Sequence, residues 1–401
     1  MVTTGLTIAI LVAFILYSAF SKRIGHGFLT LPILFTLFGF FLSRPLNDLP
    51  EQVLVYEGRR LLAEITLVLV LFSDASHVRF SNLRQSWKIP ARMLVIGMPL
   101  TILLGTLAVA WLNPTAGIAM ALLTASLLTP TDAALGQSVV SSPFVPKHLS
   151  QSVNVESGLN DGLVLPFVLM GAVLASGTML ESGGRGLFMS AVIEVGLGVG
   201  VGIAIGWSVA RLLEWVQKRD MTDDPGAAVI FLCTAFVAYY FSHAVGGNGF
   251  IAAFISGMTF GNSFRNDIRF ISEFMEGAGQ LLTMSAFLLL GAFLMPVGLS
   301  HVSFTTVLIA VLFMTVIRML PIYLSLWGSG LPPREKLFLG WFGPRGLASI
   351  LFTLLMLDDF DLPNQDELLA CVSLTVGFSI VLHGVSASPY ARWIGHRSGK
   401  T

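Results

Sequence analysis

Two consecutive apolar stretches of the chain, within residues 121–170, contain three carboxylates. Asp132 lies in the middle of the first stretch, directly after Thr131, and Glu156 and Asp161 lie near the start of the second. If these stretches cross a membrane, each carboxylate is costly to bury, and an ionisable side chain at such a position is a hypothesis of function. The chemistry then depends on the neighbours of each carboxylate and on the helices that carry them.

Asp161 and Ser157 are four residues apart and share one face of a helix, and Asn160 and Glu156 share the neighbouring face. A carboxylate with a hydroxyl one turn away offers the oxygen ligands that a hard cation prefers. A carboxylate removed from water also holds its proton more strongly than one in water. Asp161 could therefore bind a proton or a cation, but not both at once, which is the basis of an exchange reaction. A purely structural ion pair is the alternative.

The composition is that of a polytopic membrane protein. Of the 401 residues, 54% are hydrophobic and 11% are charged, whereas soluble domains have about 25% charged residues. Apolar segments recur from end to end and predict an all-α fold of about 13 transmembrane helices. The sequence contains no phosphate-binding loop, zinc-ligand spacing or basic nucleic-acid-binding stripe. We therefore expect a protein of the lipid bilayer that is not an enzyme, needs no cofactor and binds no nucleic acid.

The basic residues predict the orientation in the membrane. Lys22 and Arg23 follow the first apolar segment, and most of the 23 Lys and Arg residues fall in loops on that same side. Cytoplasmic loops carry such an excess, so we expect the N-terminus outside and the C-terminus in the cytoplasm. About 13 helices can divide into two repeats of about six helices joined by one linker helix, and the second repeat then enters the membrane inverted.

Two predicted helices at matching positions in these repeats are interrupted. Residues 115–140 are interrupted at 129–132, which read Thr-Pro-Thr-Asp, and residues 335–357 at 343–346, which read Gly-Pro-Arg-Gly. A matched pair of interrupted crossing helices indicates where a transporter binds its substrate.

The first interruption follows from its proline. Pro130 lacks an N–H and clashes with the preceding turn, so we expect the helix to open between Leu128 and Asp132. The ends of half-helices carry partial charges, and Asp132 would offset a positive end while Arg345 would offset a negative one. The alternative is a simple proline kink that Asp132 caps.

Arg318 is a cation in the middle of the apolar segment 302–327, without a partner nearby in the sequence. Glu156 would repel Asp161 unless it were neutralised, so we predict a structural ion pair between Glu156 and Arg318. Asp74 lies at the cytoplasmic end of the third predicted helix. It is either part of a funnel that attracts cations or a solvated residue of the membrane interface.

Several stretches resemble one family. The most specific is 155–162, which is similar to the family's ESxxND helix, and 129–132, 249–254 and 341–346 are similar to further family stretches. The family is that of the CPA1-type bacterial cation:proton antiporters, the NhaP-like sodium/proton antiporters related to the animal sodium/proton exchangers. The resemblance covers essentially the whole chain. It implies an antiporter of the bacterial inner membrane that exchanges Na+ or Li+ for H+ and serves pH homeostasis.

The resemblance also implies roles for individual residues. Asp161 becomes the carboxylate for the cation and the proton, with Ser157 and Thr131 as further Na+ ligands and with Asn160 and Asp132 in the same site. Asn160 stands where electrogenic relatives have a second Asp, which implies electroneutral one-for-one exchange. The chain departs from the family pattern at the first interruption, where the proline precedes the Thr-Asp pair instead of following it.

The family further implies a homodimer built from two domains. Residues 1–90 and 187–300 would form the dimerisation domain. Residues 91–176 and 301–401 would form a core ion-transport domain that carries the ion by an elevator-like motion.

Three other functions compete with this hypothesis. A K+/H+ antiporter of the same fold would differ in cation selectivity, which depends on the size of the cavity. A cation channel is disfavoured by the interrupted helices and by the lack of a carbonyl-ring filter sequence. An intramembrane aspartyl protease could use Asp132 and Asp161, but Asn160 precedes Asp161 where such enzymes have a Gly-x-Gly sequence.

Overall fold

All regular secondary structure in the described residues is helical. In a computed structural model of the chain these are residues 2–24, 30–47, 52–78, 87–132, 135–136, 142–177, 184–265 and 269–396. The helices in chain order are α1 (Val2–Ile24), α2 (Leu31–Asn47), α3 (Gln52–His77), α4 (Lys88–Arg92), α5 (Met98–Leu112), α6 (Gly117–Leu127), α7 (Lys147–Ala175), α8 (Gly184–Lys218), α9 (Asp224–Ala244), α10 (Gly249–Ser263), α11 (Arg269–Leu289), α12 (Met295–Ser300), α13 (Phe304–Met314), α14 (Val316–Ser325), α15 (Pro333–Trp341), α16 (Leu347–Asp359) and α17 (Gln365–His396). One π-helical turn joins α4 to α5, and another joins α11 to α12.

The helices have the length and the surface of a membrane protein. Within the described residues, 8 helical segments are long and apolar enough to cross a bilayer, and α2 and the segment that ends in α6 are apolar but shorter. Large apolar side chains cover the outside of the bundle, where Trp111 is 80% exposed and Phe304 is 83% exposed. Such a surface suits lipid rather than water. The prediction of an all-α, multi-pass membrane protein is confirmed.

The described residues contain 8 segments of bilayer-spanning length, whereas the sequence predicts about 13 crossings. The interruptions are one reason for the difference. The predicted helix 335–357 is divided into α15 and α16, each too short to span a bilayer alone. In the predicted helix 115–140, α6 ends at Leu127. Residues 133–134 and 137–140 of that predicted helix lie outside the described part of the chain.

Glycine allows three long helices to approach one another closely. Helix α10 lies between α8 and α3 and contacts both along its length. A Cβ at Gly206 of α8 would overlap the backbone of Ser256 in α10, and a Cβ at Gly257 would overlap the backbone of Phe72 in α3. Helices that lack side chains at such crossings can bring their backbones together, which is a common packing mode in membranes.

A short turn separates α9 from α10, at the place where the sequence shows a Gly-Gly-Asn-Gly run. Gly246 has a positive φ of 80°, which glycine adopts without the strain of a Cβ. The Asn248 side chain then accepts a hydrogen bond of 3.0 Å from the Ile251 N–H and caps α10.

Helix α7 carries Glu156, Ser157, Asn160 and Asp161. Its most extensive contacts are with α6, and it also meets α3, α10, α15 and α16. Helix α17 contacts α12, α13 and α16 on the far side of the second interruption. The fold therefore surrounds the acidic face of α7 with the two interrupted segments.

Candidate functional site

The first interruption opens where the proline predicts. After α6 ends, residues 128–132 are not helical, and Pro130 has no N–H to continue the helix. The Thr129 hydroxyl donates a hydrogen bond of 2.7 Å to the Ala125 carbonyl and so satisfies one acceptor of the last turn. The carbonyls of Thr129 and Pro130 both accept from the Arg345 guanidinium, with 3.2 Å between Pro130 O and Arg345 Nη1. Arg345 comes from the second interruption and is completely buried.

The second interruption, residues 342–346, receives a matching contact from the first. The Asp132 carboxylate accepts a hydrogen bond of 2.8 Å from the Leu347 N–H at the start of α16. The Asp132 N–H donates to the Pro344 carbonyl at 2.7 Å. A Cβ at Gly346 would overlap the Asp132 carboxylate. The close approach of Asp132 to the start of α16 therefore requires glycine at position 346.

These contacts are reciprocal. A cation from the second interruption lies at the C-terminal end of α6, and an anion from the first lies at the N-terminal end of α16. Each charge offsets the partial charge of the helix end that it touches. The sequence predicts that each charge offsets a helix end, and the structure adds that each charge does so in the other interrupted segment.

Glu156 and Arg318 form a bidentate ion pair inside the protein. The two guanidinium–carboxylate distances are 2.8 and 2.9 Å, and the side chains are at most 2% exposed. Glu156 also accepts hydrogen bonds from the Thr131 hydroxyl at 3.2 Å and from the Asn160 amide at 3.1 Å. Both Glu156 oxygens are therefore engaged, and the pairing expected from the sequence is present.

Asp161 has a different environment. It is 7% exposed, and its Oδ1 atom has no hydrogen-bond partner among the residues that the structure describes. The Asn160 Oδ1 atom is likewise buried and unpartnered, while the Asn160 amide donates to the Thr131 hydroxyl at 3.2 Å. The hydroxyls of Thr131 and Ser157 lie 3.1 Å apart. Asp161 lies one helical turn after Ser157 on the same face of α7. Carboxylate, amide and hydroxyl oxygens are the kinds of ligand that a hard monovalent cation prefers.

Asp74 reaches this region from α3. It is half-buried, and it interacts electrostatically with both Asp161 and Asp132. The close approach follows from Gly158, where a Cβ would lie 3.4 Å from the Asp74 carbonyl oxygen. Asp74 is thus close enough to the acidic group around Asp161 to interact with it electrostatically, while its side chain keeps partial exposure.

His383 of α17 is a polar residue of this region that the sequence-based prediction does not include. It is 2% exposed, and its Nε2 atom lies 2.8 Å from the Trp341 carbonyl at the end of α15. The available signal was an ionisable side chain inside an apolar helix, which is the criterion that identified the carboxylates.

Comparison with known proteins places this geometry in context. The chain matches the family described as "Sodium/hydrogen exchanger, transmembrane" over residues 9–393. It is 26% identical to the K(+)/H(+) antiporter NhaP of Alkalimonas amylolytica over 83% of the chain, which is 57% of that relative's length. It is 27% identical to the Na(+)/H(+) antiporter NhaG of Bacillus atrophaeus over 82% of the chain, which is 63% of that relative's length. The chain thus spans less than two thirds of the length of these relatives.

One solved structure covers the chain from end to end. The sodium proton antiporter MjNhaP1 from Methanocaldococcus jannaschii at pH 8 superposes with a TM-score of 0.77, over 99% of both chains, at 20% sequence identity. At this identity the likeness shows a shared fold.

Proposed function

The chain belongs to the sodium/hydrogen exchanger family, and on that premise we propose that it is a secondary active antiporter that exchanges a monovalent cation for protons. The observation that carries the proposal is Asp161, a buried carboxylate with an oxygen that has no partner among the described residues. It lies one helical turn after Ser157, whose hydroxyl is 3.1 Å from the Thr131 hydroxyl. A proton or a cation can neutralise that carboxylate, and each excludes the other. This competition couples the two fluxes without a covalent step, so the protein is a transporter and not an enzyme, and the cation and the proton are its only ligands.

Asp161 is the one carboxylate of this group that we assign to exchange. Glu156 is neutralised by Arg318, and Asp132 caps α16. Asn160 cannot take up a second proton because it is an amide. We therefore propose electroneutral one-for-one exchange, with Asp74 as an additional oxygen ligand or as the residue that attracts the cation toward Asp161.

The transport cycle that we propose is alternating access around Asp161. The chain would make about 13 crossings in two inverted repeats, with the N-terminus outside and the C-terminus in the cytoplasm of a bacterium. Residues 91–176 and 301–401 would move as a core domain against a dimerisation domain of residues 1–90 and 187–300. The interrupted segments travel with the core, so the ion stays in contact with Asp161 while access changes sides.

We propose Na+ as the cation, with Li+ as a close substitute, because the chain belongs to the sodium/hydrogen exchanger family and the site offers the oxygen ligands of a hard cation. K+ is the second candidate. Oxygen ligands suit it as well, and the K(+)/H(+) antiporter NhaP matches as much of the chain as the Na(+)/H(+) antiporter NhaG does.

Proteoliposomes that contain the purified protein and a trapped pH dye test the proposal. We expect Na+ or K+ to dissipate an imposed pH gradient, at a rate that does not change when a gradient of a membrane-permeant anion imposes a membrane potential. Asp161→Asn should abolish this flux and leave the protein folded. Glu194→Gln is the matched control, because Glu194 is an exposed carboxylate of the membrane helix α8. Retained exchange in Asp161→Asn would refute the assignment.

A further inference from the structure

Three polar side chains of α17 form a stripe that faces the second interruption. Ser379, His383 and Ser386 are four and three residues apart and therefore share one face of the helix. Ser379 is completely buried and His383 is 2% exposed. Buried polar groups need hydrogen-bond partners. All three side chains have such partners at the ends of the interruption.

The stripe holds both ends of the interrupted segment. The Arg345 N–H, two residues before α16 begins, donates a hydrogen bond of 2.6 Å to the Ser379 hydroxyl. At the other end Trp341 is the last residue of α15, and its carbonyl oxygen lies 2.8 Å from His383 Nε2. The Trp341 indole N–H also donates to the Ser386 hydroxyl at 3.0 Å.

The geometry requires a proton on one nitrogen of the His383 ring. A carbonyl oxygen can only accept, so Nε2 carries a proton and donates it to Trp341. The Nδ1 atom lies 3.3 Å from the Ser379 hydroxyl. In a neutral ring Nδ1 accepts from that hydroxyl, which itself accepts from the Arg345 N–H. One directed chain of hydrogen bonds then runs from Arg345 through Ser379 and His383 to Trp341.

A second proton on the ring would break this chain. It would turn Nδ1 into a donor, either to the Ser379 carbonyl, 3.0 Å away, or to the Ser379 hydroxyl, which would then have no acceptor in the ring. It would also place a third positive charge near Arg318 and Arg345, both of which interact electrostatically with the ring. The neutral ring gives the Ser379 hydroxyl an acceptor and adds no charge beside these two arginines.

This chain acts on the ion site through Arg345. The Arg345 backbone is fixed by Ser379, and its guanidinium binds the Thr129 and Pro130 carbonyls. Thr131 follows directly in the chain and contributes its hydroxyl beside Ser157. A shift of Arg345 would therefore move a hydroxyl ligand of the site.

We propose that His383 is a positioning residue for cation binding: its neutral ring, with Ser379, spans the second interruption and fixes Arg345, which in turn places Thr131. The inference rests on the proposed exchange function and adds to it a residue on a helix that supplies no ligand.

Three substitutions at His383 separate this role from simple packing. A Gln amide nitrogen can reach the position of Nε2 and donate to Trp341, an Asn amide is too short to do so, and Leu supplies no donor. We expect His383→Gln to keep the wild-type KM for the cation within about twofold, and His383→Asn and His383→Leu to raise it about tenfold with a smaller loss of maximal rate. Thr375→Val is the matched control, since Thr375 is buried in the same helix and donates to Cys371 of its own helix.

Ser379 provides a second test. Ser379→Ala should raise the KM in the same direction, and combining it with His383→Asn should add little, because both changes interrupt one chain. If His383→Leu does not fold, the KM values of the Gln and Asn variants alone test the positioning role.

The inference is overturned if the Gln variant is as impaired as the Asn variant, or if all variants bind the cation as the wild type does. Wild-type proteoliposomes measured in parallel distinguish a failure of this inference from a failure of the proposed function. Absence of exchange in the wild type would contradict the proposed function itself.

Discussion

The carboxylates around the site differ in the hydrogen bonds of their oxygens, and these differences assign each carboxylate a separate role. Glu156 is bound by Arg318, Thr131 and Asn160. Asp161 keeps an oxygen without a partner. The sequence alone predicts this division from the rule that two adjacent buried anions repel. It could not supply the two further donors to Glu156, because they depend on how Thr131 of the first interruption approaches α7.

The ion pair makes a direct prediction about stability. Glu156→Gln leaves the Arg318 guanidinium buried without a counter-charge, and removing one partner of a buried pair costs about 3–5 kcal/mol. We expect the melting temperature in detergent to fall for Glu156→Gln and for Arg318→Gln. The exchanged pair, Glu156→Arg with Arg318→Glu, should recover part of the loss. A double variant no more stable than either of its single changes would contradict the pairing.

At the scale of the elements, the two interruptions support each other. Arg345 occupies the carbonyl end of α6, and Asp132 occupies the amide end of α16. The sequence predicts the position of each interruption because Pro130 and Pro344 mark them. It does not predict that they exchange their charges, since Asp132 and Leu347 are 215 residues apart and only the packing of α6 and α16 against α7 brings them together.

A substitution at Gly346 tests the contact between the two interruptions. A Cβ there would overlap the Asp132 carboxylate, so Gly346→Ala should push Asp132 away from the Leu347 N–H. Loss of such a cap costs about 0.5–2 kcal/mol, and we expect a lower melting temperature and a higher KM for the cation. Gly200→Ala in α8 is the control. Nothing lies within 4 Å of its added Cβ, and alanine favours a helix by about 1 kcal/mol over glycine. Equal melting temperatures and equal KM values for the two variants would argue against a capping role of Asp132.

At the scale of the whole molecule, two ion pairs connect regions that we propose move against each other. Arg59 and Arg60 near the start of α3 bind Asp358 and Asp359 at the end of α16, each at 2.6 Å. Helix α3 belongs to the proposed dimerisation domain and α16 to the proposed core. The Asp358 side chain is only 2% exposed, so its pair is shielded from solvent and stronger than an exposed pair. An elevator-like motion must separate these contacts in every cycle.

A reversible link at the same place tests that motion. Arg60 and Asp359 are the more exposed pair, with side chains 44% and 33% exposed, so a reagent can reach cysteines at both positions. The background is Cys233→Ala, because Cys233 is exposed while Cys371 is buried. We expect a cleavable bis-maleimide to stop exchange in the Arg60→Cys, Asp359→Cys variant, and cleavage of the linker to restore it. Each single-cysteine variant treated with the reagent controls for modification alone. Because a bridge between α3 and α16 cannot stretch through a core displacement, exchange that continues in fully linked protein would require a motion in which these two helices stay together.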